Sequence, residues 1–549
     1  MGSIQTNEDR TGKVEPDFDI TRRKDGQIVL VLVILLFLIV LVKNAWIGDD
    51  AYITFRTIEN FLSGYGPVQN IGERVQTYTH HLWMFTISAI YFVVSRLLNI
   101  QFWAELYYLV IALSILASFI AVVTVASGIA RSVLSGVLAV AILILSKSFI
   151  DYSTSGLESP LSHLILAIFL LVYFKSSTNK LNQLTVLALL TALAALNRPD
   201  LLILCFPALA YAFWKVRDKK QGVLRLAIGL SPLIIWEVFS LLYYGFLTPN
   251  TAFAKLNTGI GLGSLLQQGF LYFLNSLSLD PISLLVILFV ILITFILKEW
   301  SYLPFVIGII LYMLYVLRIG GDFMSGRYFS VPLLISVALL ARYRFQDLKA
   351  YALTLLVIVL VGLVSPRPPL RFAADYNEVY GTIGGLISET GIADEHLFYH
   401  SRLGLLVDNR DDNFPGSVFA GHRWQRNDKP LKVEVIGPLG VFSYTKGPNF
   451  HVIDLNGLAD PLMSRLPIEN PDHWRIGHFR HLIPEGYLET LKSGENQIAD
   501  KNLASYYDHL ALITRGKLFD PQRLRTILEM NLGRYDHLIR SYLKAVRAS

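Results

Sequence analysis

Residues 21–50 read Thr21-Arg22-Arg23-Lys24-Asp25-Gly26-Gln27-Ile28-Val29-Leu30-Val31-Leu32-Val33-Ile34-Leu35-Leu36-Phe37-Leu38-Ile39-Val40-Leu41-Val42-Lys43-Asn44-Ala45-Trp46-Ile47-Gly48-Asp49-Asp50. Ile28 to Val42 is unbroken hydrocarbon, and the run continues past Lys43 to Trp46 and Ile47. With the Lys43 ammonium snorkelling to the interface, Ile28–Ile47 attains the roughly 20 residues that cross a bilayer core. A cleavable signal peptide is the competing reading. It fits poorly, because no small-x-small site follows and many further apolar segments do. The basic triplet Arg22-Arg23-Lys24 then sets direction: this helix runs from the cytoplasm outward, and Gly48-Asp49-Asp50 opens the first outer loop.

The rest of the chain agrees with a membrane protein. Of its 549 residues 53% are hydrophobic and 16% charged, with a mean hydropathy of +0.48. A soluble domain is about 45–50% apolar and about 25% charged. The formal net charge of +6 would suggest nucleic acid in a soluble protein. Here much of the Lys and Arg falls in short loops between apolar runs, where it records orientation, so no nucleic-acid partner is expected. The single cysteine, Cys205, lies inside an apolar run, which excludes an intramolecular disulfide and a cysteine metal cluster.

Further apolar runs fall near 105–128, 132–149, 161–174, 182–196, 200–214, 224–243, 281–298, 302–318, 328–342 and 350–365. Basic turns occur at Arg131, Lys175–Lys180, Lys215–Arg225, Lys298 and Arg342–Lys349. All of them are cytoplasmic only if one more run, Leu82–Leu97, does not cross. It is therefore expected to lie in, or re-enter, the outer leaflet. That leaves about eleven transmembrane helices and an outward C-terminus. Ser365-Pro366-Arg367-Pro368-Pro369 is a stiff exit linker. The expected organisation is a disordered cytoplasmic tail, 1–27, an all-α polytopic membrane domain, 28–365, and an extracytoplasmic soluble α/β domain, 366–549. In that last part Glu434–Ile436, Val441–Tyr444 and His451–Leu455 read as strands, and Val379–Ser388 and Pro521–Leu532 as helices.

Unusual polar residues concentrate in the outer loops, whereas the inward loops carry mostly plain Lys and Arg. Asp49 and Asp50 are costly to desolvate side by side and repel each other, which suits a general base of raised pKa, a metal site or a contact to sugar hydroxyls. Helix capping is the bland alternative, and it explains one aspartate but not two. His80 and His81 cannot share one helix face, so a two-His zinc site is weak and contact with phosphate or sugar is at least as apt. Tyr78 and Trp83 suit interfacial anchoring. Arg198, Lys255 and Arg327, at the outer edge, suit a phosphate that arrives on a lipid. Their bland alternative is intramembrane salt bridging, such as Arg327 with Asp322. No P-loop or dinucleotide fingerprint is present.

The set Gly48-Asp49-Asp50-Ala51-Tyr52-Ile53, Asn70-Ile71-Gly72-Glu73-Arg74-Val75, Thr154-Ser155-Gly156-Leu157-Glu158-Ser159, Arg198-Pro199-Asp200 and Gly320-Gly321-Asp322-Phe323-Met324-Ser325-Gly326-Arg327 resembles the GT-C glycosyltransferases. Within them it is most similar to the terminal β-1,2-arabinofuranosyltransferases of mycobacterial-type cell walls. Ile453-Asp454-Leu455-Asn456-Gly457-Leu458-Ala459-Asp460-Pro461 and Arg475-Ile476-Gly477-His478 resemble that family's soluble domain. The resemblance implies transfer of a sugar, with arabinofuranose the suggested one, from a polyprenyl-phosphate donor to a glycan acceptor of the cell envelope. The setting implied is the bacterial cytoplasmic (inner) membrane, with the site on the extracytoplasmic side. Asp49 or Asp50 would deprotonate the acceptor, Arg198, Lys255 and Arg327 would bind the donor phosphate, and His80, His81, Glu158 and Asp322 would contact substrate. No nucleotide site is needed, and no cofactor is implied beyond a divalent metal at the acidic pair, which is left open. The alternative is a transporter or flippase of lipid-linked glycan. That reading calls for ionisable residues at mid-membrane and paired repeats, and the sequence shows neither.

Overall fold

The structure, a computed structural model, describes residues 24–98, 106–175, 177–256, 258–343, 348–371, 387–407, 431–437 and 439–548. Each of the eleven apolar runs coincides with a helix, from Lys24–Lys43 to Leu348–Val364. Among the described residues four are long and apolar enough to cross a bilayer alone: Asp25–Lys43, Leu106–Ile129, Lys180–Asn197 and Lys219–Tyr243. The others are shorter. Apolar side chains face outward on Lys24–Lys43 (Ile28, Val31, Ile39) and on Lys219–Tyr243 (Val223, Ile235, Val238). Surface of that kind suits lipid rather than water. At the centre, every residue of Ser330–Leu340 is buried, as an all-round apolar helix must be.

One helix was not legible as an apolar run. Leu262–Leu279 is a helix, bent by 108° against Pro281–Ile296. The bend falls at Asp280, whose buried Oδ2 accepts hydrogen bonds from Ser283 Oγ (2.6 Å), Ser148 N (2.8 Å) and Ser146 Oγ (3.1 Å). The run Leu82–Leu97 is the helix His81–Phe92 continued by a π-helical turn, Val93–Leu97. It packs on Asp49–Leu62, Leu106–Val123 and Lys180–Asn197.

Among the described residues of the C-terminal part helix outweighs strand. Its one sheet among the described residues is a parallel pair, Lys432–Ile436 with Phe450–Asp454, joined across Gly440–Lys446. Two of the three expected strands are thus present. The third, Val441–Tyr444, is wrong: it lies in the helix Gly440–Lys446 that connects them. A four-residue run has no periodicity to separate the two states, and a cap from a distant residue decides this one. Pro521–Asn531 is helical as expected, whereas the helix expected at Val379–Ser388 falls, but for its last two residues, outside the described ones.

This part is bolted to the first outer loop. Buried Arg56 donates to Gln69 O (2.8 Å), Phe450 O (2.6 Å) and Ser443 O. Asn70 exchanges two hydrogen bonds with the backbone of Val452 (2.9 and 3.0 Å), so its amide acts as a short extra strand. Glu73 pairs with Arg515 at 3.0 Å, and Arg74 N donates to Thr514 O at 2.9 Å. The Asn70–Val75 motif is therefore a docking strip.

Candidate functional site

The acidic pair opens the helix Asp49–Leu62, after a strap that is tied down on both sides. Gly48 N donates to Ser155 O (2.9 Å), Ile47 N to Leu403 O (3.2 Å) and Trp46 Nε1 to Asp151 O (2.8 Å). Gly156 has φ +80°, and a Cβ there would meet the Ala51 methyl at 2.8 Å. Only glycine lets the Thr154–Ser159 turn press so closely on the start of this helix.

The two aspartates have different environments. Asp49 Oδ1 accepts from Val441 N (2.8 Å) and Oδ2 from Gly440 N (3.2 Å), so Asp49 caps the helix Gly440–Lys446. Gly440 is required there, because a Cβ would collide with the Asp49 carboxylate. Burial pushes the Asp49 pKa up to about 6, with these N–H donors opposing and Asp50 adding to the rise. Asp50 instead faces a cavity of about 610 Å³ and has no hydrogen-bond or ion-pair partner among the described residues. Burial raises its pKa, Lys255 and Arg327 oppose, and Asp322 and Glu158 add. Lys255, exposed and likewise unpaired among the described residues, lines the same cavity.

Behind this wall lies a buried charge network centred on Glu158, at the start of Ser159–Phe174. Arg327 Nη2 is 3.1 Å, Arg198 Nε 3.5 Å and His80 Nδ1 3.5 Å from its carboxylate oxygens. Burial alone would raise the Glu158 pKa, but the two guanidiniums and His80 pull it down to about 2. Arg198 also holds Asp200 (3.0 and 2.6 Å), and Arg327 reaches Asp322 at 3.4 Å. His80 Nε2 lies 2.7 Å from Thr54 Oγ1, which ties the network to the helix of the aspartates. His81 is a packing residue, stacked on Trp236 at 4.1 Å and bonded to Gln76 at 3.1 Å. The structure thus brings Asp50 and Lys255 to the cavity, while Arg198, Arg327, His80, Glu158 and Asp322 hold one another just beneath it.

Most of the cavity wall comes from residues not singled out individually as site candidates. Glu395, Tyr399, Asn456, Trp474, Arg475 and His478 line it. Glu395 opens the helix Glu395–Leu403, whose cap Asp394 accepts from Leu397 N at 3.1 Å and pairs with Lys147 (3.1 Å) and Arg367 (2.8 Å). Burial, then Asp50, raise the Glu395 pKa well above the carboxylate range. The Arg475–His478 and Asp454–Leu458 motifs could have flagged this wall, since both reach the cavity. His478, lowered to about 4 by burial and Arg475, is a neutral imidazole packed edge-on to Phe323 at 4.4 Å. Each Asp49 oxygen accepts one N–H donor, which leaves the Asp50 carboxylate as the open member of the pair. No cluster of three or more His, Cys, Asp or Glu residues suited to a metal occurs among the described residues.

No family model matches the chain. Two named relatives do. The terminal β-(1→2)-arabinofuranosyltransferase of Mycobacterium tuberculosis is 25% identical over 530 residues, covering 81% of this chain and 82% of its own. The protein of that name from Corynebacterium glutamicum is 30% identical over 353 residues, covering 52% of this chain and 46% of its own. The likeness read from the motifs is therefore carried by alignments to proteins of that name, and it supports a glycosyltransferase enzyme.

Proposed function

We propose that this chain transfers a sugar, arabinofuranose by its relatives, from a polyprenyl-phosphate donor to a cell-envelope glycan at the outer face of the membrane. One observation carries the assignment of roles: of the two adjacent aspartates only Asp50 presents an unpartnered carboxylate to the cavity, in company with the unpaired Lys255. Asp50 takes the proton of an acceptor hydroxyl, whose oxygen attacks the anomeric carbon. The bond from that carbon to the phosphate oxygen breaks, and polyprenyl phosphate leaves with the electron pair. Lys255 meets the charge that develops on the leaving phosphate. Arg198 and Arg327 hold Glu158, Arg327 also holds Asp322 and adds a positive field at Asp50, and Asp49 is a positioning residue. In this reading the outer loops and the part after residue 365 together form the extracytoplasmic half of the protein.

The purified protein, given a radiolabelled polyprenyl-phosphoryl arabinofuranose and an oligo-arabinofuranoside acceptor, tests this. Asp50→Asn is expected to lower transfer by about 10²–10⁴-fold, the usual worth of a general base. Lys255→Ala is expected chiefly to weaken use of the donor, and Asp49→Asn to keep measurable transfer. Equal rates for wild type and Asp50→Asn would sink the assignment. Movement of the lipid across vesicles without transfer would favour a transporter.

A further inference from the structure

The motif Arg475-Ile476-Gly477-His478 takes no part in the steps above, yet it is built into the cavity wall. Two glycines set it there. Gly477 has φ +74°, and a Cβ on it would meet the Phe323 ring at 2.5 Å. Gly391 has φ +78°, and a Cβ there would meet Arg475 Cγ at 2.9 Å. Glycine at both positions lets the turn press on Phe323 and the Gly391 backbone come up to the Arg475 side chain. Arg475 Nε then donates to Gly391 O at 2.8 Å, and the guanidinium lies 5.8 Å from the centre of the Phe323 ring. That one hydrogen bond anchors the side chain and leaves its fork unused. Nη1 and Nη2 have no hydrogen-bond or ion-pair partner among the described residues, and neither is sealed from solvent. Glu395 is no counter-ion, because burial, then Asp50, hold its carboxyl protonated. Arg480, the other arginine of this wall, pairs with Glu469 at 3.8 Å. Arg198 and Arg327 are spent on Glu158, Asp200 and Asp322. Arg475 is thus the one guanidinium among the described residues that lines the cavity without an acidic partner.

Lys255 brings a second free cation to the same cavity. His478, packed on Phe323, feels both: burial, then Arg475, and less strongly Lys255, lower its pKa. A planar fork of N–H donors matches two oxygens of one phosphate, and a nearby ammonium adds a point charge. We infer that Arg475 binds the phosphate of the lipid-linked donor bidentately, with Lys255 as its companion. The inference rests on the transfer reaction proposed above, whose one anionic substrate is that donor. The C-terminal part then supplies one half of the donor clamp and the short helix Asn250–Leu256 the other. Leu256 and Leu262, just after Lys255 in the chain, are exposed, which suits a phosphate that arrives on a hydrocarbon chain. The same fork holds polyprenyl phosphate after its bond to the anomeric carbon has broken.

The full-length protein in detergent would be titrated calorimetrically with a short-chain prenyl phosphate, the matching prenol and inorganic phosphate, and its donor and acceptor KM measured. Arg475→Gln is expected to weaken prenyl phosphate binding and raise the donor KM by about 10–100-fold, the size of a lost charge-assisted fork. Prenol binding and the acceptor KM are expected to stay unchanged. Arg475→Lys, which keeps the charge but lacks the fork, is expected to fall between wild type and Arg475→Gln. Prenyl phosphate binding that is absent in wild type, or that Arg475→Gln leaves intact, overturns the inference and leaves the transfer reaction standing. So does an equal loss of acceptor affinity in both variants, the mark of a disturbed wall. Inorganic phosphate bound as tightly as the prenyl phosphate overturns the lipid-borne source. If wild type transfers no sugar but binds prenyl phosphate through Arg475, the transfer reaction fails and the phosphate site stands.

Discussion

At the scale of single residues, adjacency in the chain says little about likeness of role. Asp49 and Asp50 are neighbours, yet one is consumed by backbone N–H donors and the other is bare. The sequence makes the pair conspicuous and even offers capping for one member. It cannot say which, since the capped helix begins 391 residues away. A base whose pKa is raised by burial must lose its proton before it works. Transfer is therefore expected to fall as pH drops through that raised pKa, with the acid limb of kcat/KM against pH above the usual aspartate value of about 4. Glu395 adds no charge there, because burial, then Asp50, hold its carboxyl protonated well above the carboxylate range. Glu395→Gln therefore exchanges one neutral group for another, and the acid limb is expected to stay in place. A limb that moves to lower pH would show Glu395 to be charged while Asp50 titrates.

Elements extend the lesson. Helices of the membrane part were legible because hydrocarbon runs are their own signal. Leu262–Leu279 was not, since Gln267, Gln268, Tyr272 and Asn275 interrupt its apolar side, and Val441–Tyr444 was misjudged because its state is fixed by Asp49. The ends of helices, more than their middles, carry the charge network. Glu158 sits at a helix start and balances two buried arginines. Glu158→Gln would leave those guanidiniums short of a counter-ion, at a cost of about 3–5 kcal/mol. A clear drop in the thermal midpoint of the detergent-solubilised protein is expected. The wild-type contribution has the opposite sense to that of the raised carboxylates: present above the ordinary glutamate pKa, it is lost as pH falls toward about 2. An unchanged midpoint for Glu158→Gln would mean that the arginines find other partners.

For the whole molecule, the contacts between the first outer loop and the C-terminal part have a topological meaning. Asp49, Arg56, Asn70 and Glu73 touch residues between 440 and 515, so both parts lie on one side of the membrane. In the proposed function that side is the exterior. With Cys205 buried, Leu482→Cys on an exposed surface gives a clean probe. It is expected to react with a membrane-impermeant maleimide in intact cells, and labelling only after lysis would reverse the orientation. The same contacts also impose a schedule. During synthesis Asp49 emerges early, but Val441, its partner, follows 392 residues later. At about 5–20 residues per second this is a wait of roughly 20–80 s. Through that interval the growing chain already sits in the membrane with one wall of its cavity missing. On the proposed function, a product truncated before Gly440 is expected to be a membrane protein without a reaction.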